Sequence, residues 1–430
     1  MSLQVAGRGD IIHLSNSASS SSLAGIGADN QTMYKVQLGL RPVATVAATA
    51  VFTLGGVLAA LPSMAHAAPA RPRSATPSAS PATPAPTSTT RYGVSYGGTL
   101  TSMTPSQLKA TLNNDVQLGV KWIREQIDWS YVQYDGPGTY DWAAFDQVVQ
   151  AVNAHHLQIM PVIDFTPPWA RAVGCVVEQC APAIPSSYAA FAAAAVARYA
   201  PLGVHTWEIW NEPNITEFWQ PRPDPQAFSS LLEAAVPAMQ QVDPTARVIS
   251  GGLSPAGSVG GNIDPRSYLT EMCSEGGVAA VDGIGFHPYS YPVPPSYDAD
   301  WNAWDQMSGT QVNLLGILAA CGQSSKKIWA TEYGAPTNGP GVEATTSNYE
   351  LGVADHVSDA LQATMVSQAI QLTSNSPWIA ALFLYTNQDT GTSTITNEDF
   401  FGLRNDNGSP KPAWAAAAKE LQAVGASAGG

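Results

Sequence analysis

Eight short runs rich in β-branched and aromatic residues recur along the chain. Each is followed by a stretch with helical periodicity, and that alternation restricts the fold more than any other feature. The runs cover 92–95, 121–124, 158–163, 204–210, 247–250, 283–286, 327–330 and 379–385. After the second, Phe145, Val148, Val149 and Val152 fall at i, i+3, i+4 and i+7, one face of a helix. Leu231, Leu232, Ala235 and Met239 mark a similar face after the fourth. Strands alternating with helices imply a parallel sheet, and eight such units predict a (β/α)₈ TIM barrel over residues 91–424. The alternative is an open doubly wound sheet, which calls for a Gly-rich phosphate turn after the first strand. The segment Gly93-Val94-Ser95-Tyr96-Gly97-Gly98 lacks the G-x-G-x-x-G spacing, which favours the barrel.

The segment ahead of residue 91 reads differently. Residues 1–32 are Ser-, Gly- and Ala-rich without periodicity, an unstructured or misassigned leader before Met33. Lys35 and Arg41 then precede an uncharged run from Val43 to Leu61, closed by Ala65-His66-Ala67. That pattern predicts a secretory signal peptide over 33–67, with an uncleaved membrane anchor as its rival. Residues 68–90 hold six Pro among Ala, Ser and Thr, too little apolar surface to order a core, and are expected to be an extended linker. The protein is therefore expected to be secreted or associated with the cell envelope. Any membrane contact would come through the uncleaved N-terminal segment.

Charge narrows the partners. The net charge is −14, and the first 90 residues carry five basic and two acidic side chains, so the remainder holds −17. Such a body is repelled by nucleic acid and by anionic lipid. All twelve Trp lie after residue 120, a composition that suits a neutral sugar polymer. The four cysteines also lie in this part. In an exported chain they predict disulfides, paired Cys175–Cys180 and Cys273–Cys321, although four cysteines allow three connectivities. A zinc site is the other possibility, but no His stands at ligand spacing from a Cys pair, and no metal or organic cofactor is expected.

In a TIM barrel the chemistry stands at the C-terminal ends of the strands. The fourth run ends Trp207-Glu208-Ile209-Trp210-Asn211-Glu212-Pro213-Asn214, and the seventh Ile328-Trp329-Ala330-Thr331-Glu332-Tyr333-Gly334. A carboxylate among Trp and Tyr is costly unless it has partners or a task. Two of them, facing each other about 5 Å apart across a barrel mouth, are the arrangement that cleaves glycosidic bonds with retention. Glu208 shares the inward side of its strand with Glu212 but lies deeper, and is expected to be a buried structural acid paired with a basic group.

WEIWNEPN and IWATEYGAP resemble the two active-site segments of the clan A retaining glycoside hydrolases. That group includes the cellulase-like family 5 and the β-xylosidase-like family 39, and the likeness covers most of residues 91–424. The resemblance implies that Glu212 is the acid/base and Glu332 the nucleophile. It also implies that Asn211 bonds the sugar 2-hydroxyl, that Arg124 in WIREQIDW steadies the nucleophile, and that His287-Pro288-Tyr289 brings a phenol to it. The segment from Gly138 to Trp142 and the closing Ser409-Pro410-Lys411-Pro412-Ala413-Trp414 fit as well. Two places depart. The third run ends Ile163-Asp164-Phe165-Thr166 where family 5 cellulases usually have a His. The eighth ends Leu384-Tyr385-Thr386 where many members have a Trp, so Tyr385 stands at the sugar-platform position. The pattern leans to the family 39 side.

Trp129, Trp169, Trp219, Tyr291, Trp301 and Trp304 fall in loops on the expected top face, as sugar-stacking groups or as loop packing. His155-His156 is expected to cap a helix end, His205 to be structural, and His356 to be a surface residue in a helix-like stretch. These readings together predict an exported, monomeric retaining O-glycosyl hydrolase acting on an oligo- or polysaccharide. A non-catalytic glycan-binding barrel and a transglycosylase are the alternatives.

Overall fold

A computed structural model describes residues 90–351 and 354–428. The leader and signal peptide, and the linker up to residue 89, lie outside those residues. The barrel strands are β1 (Arg91–Ser95), β2 (Trp122–Asp128), β3 (Gln158–Asp164), β4 (Thr206–Ile209), β5 (Arg247–Leu253), β6 (Gly283–Phe286), β7 (Lys327–Tyr333) and β8 (Ile379–Tyr385). Each pairs in parallel with the one before it, and β8 closes on β1. A helix follows every strand: α1 (Pro105–Leu118), α2 (Ala143–Ala154), α3 (Pro185–Tyr199), α4 (Pro225–Val242), α5 (Pro265–Ser274), α6 (Leu314–Ala320), α7 (Asp359–Ser374) and α8 (Pro412–Ala428). The (β/α)₈ barrel is therefore closed, as the alternation of the sequence implies.

Prolines open five of these helices, and a further one, Pro237, lies inside α4. Pro105, Pro185, Pro225, Pro265 and Pro412 each open one, at the position where the missing N–H has no partner to lose. Thr104 and Gln107 close a capping box at the start of α1. On α2, Phe145, Val148, Val149 and Val152 are all buried against the barrel, each contributing about 1.5–3 kcal/mol of apolar burial. Met160, Ile249, Trp329 and Phe383 form a separate small cluster.

Strand ends differ from the sequence expectation. β2, β5 and β7 run on to Asp128, Leu253 and Tyr333, whereas β4 stops at Ile209. Polar residues extend the first and last of these because inward positions near the rim open on the mouth. β4 stops early because Trp210 takes a left-handed backbone, φ 70°.

Cys175 bonds Cys180 in the loop after β3, and Cys273 at the end of α5 bonds Cys321 just past α6. His155 caps α2, its Nδ1 2.7 Å from the Ala151 carbonyl, and His205 pairs with Asp243. His356 corrects its expectation. The chain after β7 folds Glu343–Ala344 alongside His356–Val357 as a two-residue ladder, so α7 starts only at Asp359 and His356 is buried.

Candidate active site

Arg124 organises the mouth of the barrel. It points inward from β2 and is 2 % exposed. Its Nε donates to Glu208 Oε2 at 2.6 Å and its Nη2 to Asn211 Oδ1 at 2.9 Å. Nη1 donates to Glu332 Oε1 at 2.5 Å and to Ser95 Oγ at 3.0 Å. Burial opposes the charge, but Glu208 and Glu332 outweigh it and hold the guanidinium above its ordinary pKa. Glu208 is the deep structural acid expected from strand parity; its second oxygen accepts from the Gly252 amide at 2.8 Å. A planar fork is required here, since a single ammonium, with three donors, cannot address these four acceptors.

Glu332 is the penultimate residue of β7, where Tyr289 donates its phenol hydrogen to Oε2 at 2.8 Å. Glu212 follows β4 across a turn in which Trp210 and Glu212 both have positive φ, 70° and 42°. Such backbone costs about 1–3 kcal/mol per residue and persists where its surroundings impose it. They do so here. Trp210 donates its amide to the Ile163 carbonyl and its indole N–H to the Phe218 carbonyl, and Glu212 donates its amide to the Gly252 carbonyl. The turn aims the Glu212 carboxyl at His287, with Oε1 2.9 Å from Nδ1. Among the described residues, Oε2 of Glu212 and Nε2 of His287 have no hydrogen-bond partner.

The same His287 nitrogen lies 3.7 Å from Glu332 Oε2. Two carboxyl oxygens that near one atom are at most about 6.6 Å apart, at the lower edge of the separation used for inversion and open to the shorter one used for retention. Burial pushes the Glu212 carboxyl above its ordinary range, against the hydrogen bond and charge of His287. Burial also depresses His287, which favours the neutral ring. Gly252 makes room for that ring, because a Cβ there would collide with both His287 and Thr331.

Of the residues expected from sequence, Glu212, Glu332, Arg124, Asn211, His287 and Tyr289 are joined in one network. Tyr385 stands at its edge, its ring 6.4 Å from that of Tyr289 and edge-on to it; the Tyr385–Thr386 peptide is cis. Trp169 is placed elsewhere. Its indole N–H donates to the Gln133 carbonyl and its ring meets Trp129 edge-on. Trp129, Trp219 and Trp304 are buried packing groups, Tyr291 packs on Tyr289 and Phe401, and Trp301 is exposed.

Sequence reasoning passed over Ser95, Gly252 and Glu398. Glu398 lies in the loop after β8, buried, with neither carboxyl oxygen hydrogen-bonded among the described residues. Burial, helped by Glu217, Glu212 and Glu332, pushes it up to about 8. Its only signal in the sequence is an acidic residue in a loop at the active end of a barrel.

Burial raises several further carboxyls, some of them hydrogen-bonded. Burial pushes Asp115 up to about 7, Glu125 to about 8 and Asp128 to about 6. The unfolded values are near 4, so the folded protein keeps protons that the unfolded chain releases. Their contribution to stability is complete below about pH 4 and is lost as pH rises through 6–8. The melting temperature is therefore expected to be higher at pH 5 than at pH 8.5 by about 5 °C or more. A melting temperature that stays level or rises over that interval in scanning calorimetry would refute this.

A closed barrel with two glutamates meeting at its C-terminal mouth is the architecture of a barrel glycoside hydrolase. Comparison with known families agrees. The family described as Glycosyl hydrolases family 39 matches residues 188–418, and Glycosyl hydrolase family 14 matches residues 94–195. The chain belongs to glycosyl hydrolase family 39. Over 101 residues it is 35% identical to a β-xylosidase of Geobacillus stearothermophilus, covering 23% of this chain and 19% of that one. A family 39 glycoside hydrolase from the gut symbiont Bacteroides cellulosilyticus WH2 superposes with a TM-score of 0.59 at 23% identity, over 77% of this chain and 63% of that one. A GH39 β-xylosidase from Caulobacter crescentus gives 0.53 at 20% identity, over 78% and 70%. The chain thus spans less than two thirds of the length of the first two of these relatives.

Proposed function

We propose that the protein is an exported retaining β-glycosidase that works by double displacement, with Glu332 as nucleophile and Glu212 as acid/base. The observation that carries the reading is the approach of both carboxyls to Nδ1 of His287, at 2.9 and 3.7 Å. In the first half-reaction the Glu332 carboxylate attacks the anomeric carbon. The bond to the leaving oxygen breaks with its electron pair, and that oxygen takes the proton of Glu212. In the second half, the Glu212 carboxylate removes a proton from water, which attacks the anomeric carbon and releases Glu332.

The surroundings suit these tasks. Arg124 and Tyr289 stabilise negative charge on Glu332, while burial favours the protonated form of Glu212. The names of the relatives place β-xylosides first among substrates to try. Proton NMR of the first-formed product from an aryl β-xyloside or β-glucoside tests the reading. The β-anomer is expected before mutarotation, and initial release of the α-anomer would overturn double displacement.

A further inference from the structure

His287 meets Glu212 through Nδ1, while its other ring nitrogen, Nε2, is turned to β5 and β7. A Cβ on Gly252, in β5, would stand 2.2 Å from Nε2 and 2.5 Å from Oγ1 of Thr331, in β7. Those two atoms are therefore at most about 4.7 Å apart, with no side chain between them. Gly252 is not among the glycines with positive φ, so its missing side chain serves the space and not the backbone. Thr331 is aimed there by its strand. Trp329 packs with Met160, which pairs in register with the inward-pointing Arg124. Thr331, two residues on, shares the inward face of Trp329. His287 and Thr331 are both 0 % exposed, and among the described residues neither Nε2 nor Oγ1 has a hydrogen-bond partner.

A buried ring nitrogen and a buried hydroxyl this near each other gain by pairing, since each left alone forfeits its solvation. A threonine hydroxyl turns to donate or to accept, directly or across one water. The carboxyls decide which. Nδ1 lies 2.9 Å from Glu212 Oε1 and 3.7 Å from Glu332 Oε2, so two acceptor oxygens face it. They attract a hydrogen on Nδ1 and repel a lone pair there. Burial favours the neutral ring, so with its hydrogen on Nδ1 the ring presents a lone pair at Nε2, which calls for a donor. The consequence falls on Glu212, whose carboxyl burial inclines to the protonated form. When Nδ1–H donates to Oε1, the acid proton stands on Oε2, the oxygen without a partner among the described residues, and is free for the leaving group. In the opposite tautomer the proton stands on Oε1, held by Nδ1 and withheld from the leaving group.

We propose that Thr331 is a positioning residue: its hydroxyl donates to Nε2 of His287, fixes the ring as the Nδ1–H tautomer and so keeps the acid proton of Glu212 on Oε2. The catalytic consequence rests on the glycosidase reading above; the tautomer does not. Nitrogen NMR of isotope-labelled histidine rings at neutral pH reads the tautomer, with His287→Asn identifying the signal. Wild type is expected to show Nδ1 protonated and Nε2 bare, and in Thr331→Val the Nε2 resonance moves downfield as its hydrogen bond is lost. Kinetics then separate proton delivery from general damage. Thr331→Val has the same shape without the hydroxyl, and is expected to lose about tenfold in kcat/KM on aryl β-glycosides with poor leaving groups but less than about twofold on a 2,4-dinitrophenyl β-glycoside. Thr331→Ser restores the hydroxyl and is expected to stay within about threefold of wild type on both. A hydrogen on Nε2 in wild type overturns the inference, even should Thr331→Val fail to fold. So does an Nε2 resonance that does not move in Thr331→Val, an equal loss on the two leaving groups, or a Thr331→Ser as impaired as Thr331→Val. Wild type that shows the Nδ1–H tautomer but turns over no β-glycoside overturns the glycosidase reading and leaves the placement of the hydrogen standing.

Discussion

Replacing Glu332 by alanine is expected to lower kcat/KM on aryl β-glycosides by on the order of 10⁵-fold or more, because the proposed double displacement forms its glycosyl ester on that carboxylate. Replacing Glu212 by alanine has a different signature. A substrate with a 2,4-dinitrophenolate leaving group needs no proton, so its first step stays fast and the glycosyl-enzyme accumulates. A substrate with a poor leaving group loses on the order of 10³-fold or more. The contrast is read by comparing the burst and steady-state phases on the two substrates. Wild-type rates in both variants, or equal losses on the two leaving groups in Glu212→Ala, would sink the assignment. The carboxyls are separable in this way because their surroundings differ. Glu332 accepts from Arg124 and Tyr289, whereas Oε2 of Glu212 has no partner among the described residues and its neighbour His287 favours the neutral form.

Arg124→Leu is expected to be the most destabilising single change in the mouth, at about 3–5 kcal/mol. It leaves Glu208, which is fully buried, and Glu332 without their cation. Urea denaturation followed by tryptophan fluorescence measures the loss. Because the cost comes from stranded charge, Glu208→Gln in the Arg124→Leu background should recover part of it, and the double-mutant cycle should show coupling of about 1 kcal/mol or more. Additive effects would mean that Arg124 contributes through packing alone. Arg124→Lys should preserve charge but lose the fork, recovering more stability than activity.

The parts of the fold legible in sequence were those with local causes. Periodicity located α2 and α4, and runs of β-branched and aromatic residues located all eight strands, because burial against a neighbour imposes a period on each segment separately. Segment ends were less legible. The early end of β4 reflects the left-handed backbone at Trp210, maintained by Ile163 and Phe218 from other segments. Trp169 was left open between sugar stacking and loop packing for a related reason. Its indole N–H is taken up by a neighbouring loop, and nothing near it in the sequence announces that. His356 read as a helix surface residue because the ladder that buries it joins chain positions on either side of a long loop.

By itself the sequence determined that eight strand–helix units would close into a barrel, with Glu212 and Glu332 where strands give way to loops. Only the tertiary structure decided which groups those glutamates meet. It put one nitrogen of His287 near both and tied Glu208, Glu332 and Asn211 to one guanidinium. The physical reason is separation along the chain. Arg124 and Glu332 are 208 residues apart, so their contact leaves no local pattern and comes into being only when the barrel closes.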